Sequence, residues 1–437
     1  MLIRIGVTTR LVCIAATLLA RLCAQNGAWT PPVVLSTGGQ GWEAAAAIDA
    51  DGNSVALWDE RTTQDQLWSR SKPSAGSWGP VAEFNPALQT VSVYPAVRTS
   101  AAGFATAVWS DQSGVWTANR PSGSNWNPSQ LLIPGASSPI FVMNSLGDAA
   151  VVWTVGGGPR ATSGSVMVVQ RPAGGAWTAQ RIVTSGVHVI ADQAGIGADG
   201  AVVVVWETYN ATCTKYGCAL SAYALHASRQ NPGTSSWVDS GSLLGPDRTA
   251  HQARVALDSI GEAVVVAVNS AGNFAAATQG SAGGAWSTFK TVVANPQALT
   301  PFDLESDDAG QVSLVYEFIS YPNSQALAVS GSVGANTWSS PVALSGSDTS
   351  VSQVHFALAP GGAAVAVWLQ NSATPVIHAA IRTTATGAWG NPITVSGQGS
   401  YLAPEAAAAN SSGDAIVIYS GYDAASVHTE YVTNYHP

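Results

Sequence analysis

The chain has 437 residues, 46% of them hydrophobic and only 10% charged, with 44 glycines, 23 prolines and a formal net charge of −9. An acidic chain with three lysines argues against a nucleic-acid binder, because phosphate recognition needs clustered cations. With charge so far below the ~25% of ordinary globular domains, solubility must rest on Ser, Thr, Asn and Gln and on strands whose edges are covered.

The first 24 residues read as a secretion signal. Arg4 and Arg10 make a basic start, Leu11 to Ala20 is apolar, and Leu22-Cys23-Ala24 forms a cleavage site before Gln25. The apolar run is too short to span as a mature helix, and no later segment could cross a membrane as one. Losing Arg4, Arg10 and Arg21 would take the net charge from −9 to −12. Cys13 and Cys23 leave with the signal. Cys213 and Cys218 remain as a close pair in a predicted loop, expected to form a disulfide in an oxidising compartment. The expected location is therefore secreted, periplasmic or at the cell surface.

From residue 25 onward the chain repeats. Gly27-Ala28-Trp29 and its alternating apolar run return at Trp78, Trp126, Trp177, Trp237, Trp286, Trp338 and Trp389. Between these lies a second ladder of β-branched runs that mostly end in an aromatic: Ser54 to Trp58, Ala105 to Trp109, Ala149 to Trp153, Ala201 to Trp206, Ala263 to Val268, Val312 to Tyr316, Ala363 to Trp368 and Ala415 to Tyr419. Runs of this kind read as strands buried on both faces. Each is preceded by a Gly turn, and no helical period appears after the signal. Repeats of about 50 residues built from short strands mean a β-propeller.

The two ladders agree on eight blades, beginning near residues 41, 91, 137, 188, 250, 300, 350 and 400. The eighth stops after its third strand, and residues 25–40 are an orphan fourth strand. The expected fold is all-β: a single domain over 25–437, an eight-bladed propeller of four-stranded antiparallel blades. The N-terminal strand closes it by pairing with the last blade and removing both free edges. A repeated aromatic at a fixed position reads as core rather than as a ligand platform.

In a propeller the loops joining strand four to one and strand two to three share a face. Here they are the long, variable ones and hold most of the scarce ionisable groups. Convergent polar groups at one mouth of a ring make the default site. The binding candidates are Trp42, Arg61, Arg98, Asp192, His251, Arg254, Glu305, His355 and Glu405. The catalytic candidates, should the protein be an enzyme, are Asp59, Glu207, Glu317 and Tyr401. The competing reading is that charges lie in loops because loops are wet. No Gly-x-Ser-x-Gly, His-Glu-x-x-His, P-loop or dinucleotide fingerprint is present. Asp49-Ala50-Asp51-Gly52-Asn53 matches the start of a calcium loop without its later bidentate acid. Turn chemistry explains the same residues without metal, and no metal or cofactor is assigned.

The turn before each Trp resembles that of the sialidase-type propellers, whose Asp-box reads Ser-x-Asp-x-Gly-x-Thr-Trp. Gly123, Gly174 and Gly283 occupy the Gly position three before the Trp. Five before it stand Pro73, Pro121, Pro172, Pro232, Ser281, Val333 and Thr384 where the box has Asp, so the turns are degenerate. The resemblance implies an arginine clamp drawn from Arg61, Arg98 and Arg254, a Tyr/Glu pair using Tyr401 or Tyr209, and Asp59 as acid. The family's Arg-Ile-Pro segment is absent. The chain is also similar in outline to propeller lectins, but no Arg or Glu recurs beside the recurring aromatics, which leaves a single axial site. The expected function is a secreted, monomeric binding module recognising an extracellular carbohydrate or protein on the loop-rich face. The alternative is a sialidase-like glycoside hydrolase or lyase at the axial pocket.

Overall fold

In the computed structural model the Val/Ala/Ile runs form the second strand of every blade, where a pleated ribbon flanked by neighbours on both faces rewards β-branched side chains. Ala263–Val268 is buried at every position, and so is Val202–Glu207. The structure describes residues 27–437 except 37, 39, 62–64, 85–94, 248, 295–301, 321, 347–349, 398–399 and 424–425. The proposed signal and the expected blade starts near 91 and 300 lie outside the described residues.

Eight antiparallel sheets follow one another in chain order. The strands of a blade are numbered outward from the axis. Blade one comprises Gln40–Ile48, Ser54–Arg61, Asp65–Lys72 and Ala82–Glu83, and blades two to seven repeat this meander. Blade eight supplies Ser400–Ala409, Ala415–Tyr422 and His428–His436 from the C-terminal end of the chain. Its outer strand comes from the other end: Ala28–Trp29 and Val33–Val34 both pair with His428–His436, in the register Ala28↔His436 and Val33↔Val432. The fold is thus an eight-bladed β-propeller closed by its N-terminal strand. The first strands touch in sequence round the axis, and that of blade one meets that of blade eight.

The core is divided into eight apolar clusters, one between each pair of neighbouring blades. The seam of blades eight and one packs Trp58 and Ile48 against Ile416, Ile418, Val432 and Leu35, the last fully buried. Burying a leucine contributes about 1.5–3 kcal/mol, so this one residue gives the closing strand a strong grip. The aromatics that end the second strands are core, with Trp58, Trp109 and Trp368 at 0% exposure. The turn tryptophans, half-buried, cover the outer ends of the same clusters; Trp126, Trp177, Trp237 and Trp389 each sit against a different one.

On the face away from the long loops, the first-to-second hairpins share one turn. Asp49, Asn144, Asp258, Asp307 and Asn410 open it, and each side-chain Oδ1 accepts N–H groups two and four residues on. A glycine at positive φ closes each of these turns, Gly52 at 85° and Gly310 at 76° among them; that hand suits residues without a Cβ. The Asp49 carboxylate is thus engaged by its own turn, with Oδ2 accepting from Asn53 Nδ2 at 2.9 Å. These turns also join blades: Asn410 Nδ2 donates to the Asp49 carbonyl and Asn144 Nδ2 to that of Gly197. Third-strand cations lie against them. Arg171 is drawn to Asp148, Arg382 to Asp307 and Lys72 to Asp414.

One expectation is corrected here. The segment carrying the cysteines is not a loop but an extended ribbon, Val202–Thr214 paired with Gly217–Gln230. Its Thr- and Tyr-bearing strands continue the ladder past the blade because each finds a cross-strand partner. Cys213 stands directly opposite Cys218, and the two form a disulfide.

Candidate functional site

The polar groups of the mouth are delivered by the first strands, and by irregularities in them. A β-bulge adds one residue to a strand and re-aims its side chain. In blade one the register slips between Trp42 and Ala44, in blade four between Ala191 and Gln193, and in blade eight between Pro404 and Ala406. The extra residues are Glu43, Asp192 and Glu405, three carboxylic acids in three blades. Blade seven slips between Ser352 and His355, which places His355. Glu43, His188, Gln252, Gln353 and Tyr401 adopt positive φ. Non-glycine residues rarely do so, and they cluster where a site over-determines the backbone.

Across blades four to seven these acids bind the next blade. Asp192 accepts the Ala253 N–H at 2.6 Å, and Glu305 accepts that of Leu358 at 2.5 Å. Asp303 accepts the Phe356 N–H. Glu207 takes both the backbone N–H of His251 at 2.5 Å and its ring Nδ1 at 3.1 Å. Burial raises Asp192 to about 6, with Glu207 adding to it and Arg254 and His251 opposing. Burial raises Glu305 to about 7 against the pull of Arg98. Asp303 is raised by burial, with His355, Arg254 and Arg98 opposing. Arg98 belongs to blade two while Asp303 and Glu305 belong to blade six, so groups from opposite sides of the ring act on one another at the axis. His355, lowered by burial, is held by Asp303 and by the Pro404 carbonyl of blade eight.

The seam of blades one and eight is different. Burial and Glu405 raise Glu43 to about 7. Glu405, raised by burial, accepts from Ser420 Oγ at 2.7 Å. Behind them Glu430, on the third strand of blade eight, is 0% exposed, and neither carboxyl oxygen has a hydrogen-bond partner. Burial and then Glu405, Glu60 and Asp59 raise it well above the carboxylate range. Glu60 is buried and accepts from Trp58 Nε1 at 3.0 Å. The neighbouring charges that raise Glu43 and Glu430 are those of other carboxylates.

The sequence candidates therefore separate. Arg98, Asp192, Arg254, Glu305 and His355 share the axial network, and Asp59 and Glu405 belong to the seam. His251 and Glu207 are a buried pair, 2% and 3% exposed. Glu317 is half-buried at the mouth, raised by burial and hydrogen-bonded to the Gln353 amide. Arg61 is exposed at the end of its strand. Tyr401 is 80% exposed, its ring edge-on to Tyr422 at 5.5 Å. Trp42 pairs with Asp59 through the backbone; its side chain lies outside the described residues. Glu430 escaped the sequence reading, although an acid in the alternating run Tyr431-Val432 of a third strand was the available signal. Among the described residues no group of three or more ligating side chains converges to hold a metal ion.

The fold is that of an eight-bladed propeller with ionisable groups drawn toward its axis. No family model matches the chain, and no curated protein does. Among solved structures it is similar to a prolyl endopeptidase, at a TM-score of 0.52 and 11% identity, covering 95% of this chain and 60% of that one. A puromycin hydrolase mutant in complex is similar at a TM-score of 0.51 and 14% identity, over 90% and 61%. Polysaccharide lyase Uly1 gives a TM-score of 0.49 and 8% identity, over 93% and 98%. This chain thus spans about 60% of the length of the first two. At such identities the likeness concerns the fold alone.

Proposed function

We propose that the protein is a secreted binding module that takes an extracellular carbohydrate at the axial mouth of the loop-rich face. The supporting observation is the electrostatic pull of Arg98 on Asp303 and Glu305 from across the ring. Carboxyls held near neutrality both donate and accept hydrogen bonds, as sugar hydroxyls do, and arginines beside them supply further donors. The exposed ring of Tyr401 offers a face for a sugar at the rim. Secretion accords with the Cys213–Cys218 disulfide. A glycan array with the chain from Gln25 tests the reading. Binding should be lost in Arg98→Ala with melting unchanged; a folded protein that binds no glycan overturns it.

A second reading has its own support. Glu305, kept protonated to about 7 beside Asp303, meets the requirement for a general acid, as a sialidase-like glycoside hydrolase or a lyase would use. Release of fluorophore from aryl glycosides, abolished in Glu305→Gln with binding retained, would favour it over a purely binding role.

A further inference from the structure

One corner of the loop-rich face is basic. Acids outnumber Lys and Arg by 26 to 17 in the chain. Yet the ribbon of blade four and the blade-three loop beside it, residues 208–230 and 155–163, contain no Asp or Glu. Arg160 and Lys215, both exposed, lie in these segments. Arg160 Nη2 donates to the Thr214 carbonyl at 2.7 Å, which brings the guanidinium to the residue next to Lys215. Lys215 Nζ lies 4.8 Å from the centre of the Tyr216 ring. Two cations and an aromatic ring therefore meet at one tip. Tyr216 is 88% exposed, and among the described aromatic residues only Tyr401 is comparably exposed.

A lysine that merely solvates a hairpin needs no fixed tip, and this tip is held in place. Cys213 and Cys218 stand opposite one another and are bonded. The Tyr216 N–H donates to Thr214 Oγ1 at 3.2 Å. At the base of the ribbon the Tyr209 hydroxyl donates to the Gly157 carbonyl of blade three at 2.6 Å. A surface already held in its bound form lowers the ordering cost of association. A guanidinium takes an oxyanion through two parallel N–H···O bonds, and the bond to Thr214 uses only one of the five donors of Arg160. We infer that this tip binds an acidic sugar residue, its carboxylate or sulfate held by Arg160 and Lys215 and its ring laid on Tyr216. The saccharide taken at the mouth is then an anionic one. The inference rests on the carbohydrate reading above and refines it.

The test is calorimetric titration of the full chain with cellohexaose, the matching hexamer of β-1,4-linked glucuronic acid, cellohexaose sulfated at C6, and a glutamate hexapeptide. One acidic hexamer at least should bind about tenfold more tightly than cellohexaose, the ratio expected of one charge-assisted contact. Which of the two it is separates a carboxylate from a sulfate. The advantage should shrink as salt rises from about 0.05 M to about 0.5 M, because the site is exposed. Arg160→Gln and Lys215→Gln should each remove most of it. Both side chains lie in solvent, so these variants should melt with the parent. Replacing Cys213 and Cys218 together by serine should reduce the advantage several-fold, since the tip then loses its fixed form. Equal affinity for cellohexaose and both acidic hexamers, or an advantage that survives both single substitutions, overturns the inference and leaves the carbohydrate reading standing. A glutamate peptide that binds as well as the acidic hexamers overturns the assignment of the tip to a sugar. A folded protein that binds none of these probes overturns the inference too, and the glycan array then decides the carbohydrate reading on its own.

Discussion

The indole of Trp78, in blade one, donates its N–H to the Asn434 side chain of blade eight at 3.2 Å, across 356 residues of sequence. The same asparagine reaches Ser54 Oγ, and its backbone exchanges hydrogen bonds with Thr30. Ring closure therefore joins three segments: the last blade, the first blade and the N-terminal strand laid over both. Leu35→Ala should cost about 2–5 kcal/mol in chemical denaturation, the range for deleting a fully buried leucine. Deletion of residues 25–36 should lower the melting temperature further. An unchanged melt in both would show that the strand is not structural.

The axial acids set a pH dependence of known sign. Glu43 and Glu305 are held to about 7 in the folded protein, against 4.5 for an ordinary glutamate. The folded state thus binds more protons than the unfolded one between pH 4.5 and about 7, and stability falls as pH rises through that window. Above it the loss is complete, and below 4.5 it is absent. Melting curves should show the decline, and Glu305→Gln should flatten part of it.

The turn acids are placed to cap their own hairpins. Asp307→Ala removes the acceptor for the Ala309 and Gln311 amides and the attraction on Arg382. About 1–3 kcal/mol should be lost, as for a hydrogen-bonded group left unsatisfied. Asp49→Ala should behave alike through Asp51 and Asn53. Neither effect should depend on added calcium, and a calcium-dependent melt of the parent would return a metal to the Asp49 turn.

The stapled ribbon of blade four carries Lys215 and the exposed Tyr216 at its tip. It leans on blade three through Tyr209, whose hydroxyl donates to the Gly157 carbonyl at 2.6 Å, and through Arg160, which donates to the Thr214 carbonyl. Replacing both cysteines by serine should speed tryptic cleavage after Lys215 several-fold and leave global melting nearly unmoved. A six-residue covalent loop constrains little of the unfolded chain.

The architecture was readable because its signals are periodic. Trp58, Trp109, Trp153, Trp206 and Trp368 recur at one place in the repeat, and the unpaired strand at Trp29 matched the missing one after Tyr435. The site was less legible. Which acids meet depends on where a bulge falls, and neither Glu43 nor Asp192 carries a mark of it in sequence. Pairing between blades is hidden too: Glu207 and His251 lie 44 residues apart, and Glu430 meets Glu60 only because the ring shuts. The buried Arg171, Arg229 and Arg382 at the ends of third strands did recur. Their partners sit on the far face from the expected site, so the recurrence carried no functional hint.

During synthesis the stretch from Ala28 to Val34 leaves the ribosome hundreds of residues ahead of His428–His436, the ribbon it must join. Blades made in between can assemble from local meanders, but the clasp cannot form until His428–His436 has been made. Such remote pairing slows folding. For that interval two ribbon edges stay open to strangers, a period in which a chaperone or a second nascent copy could compete for them.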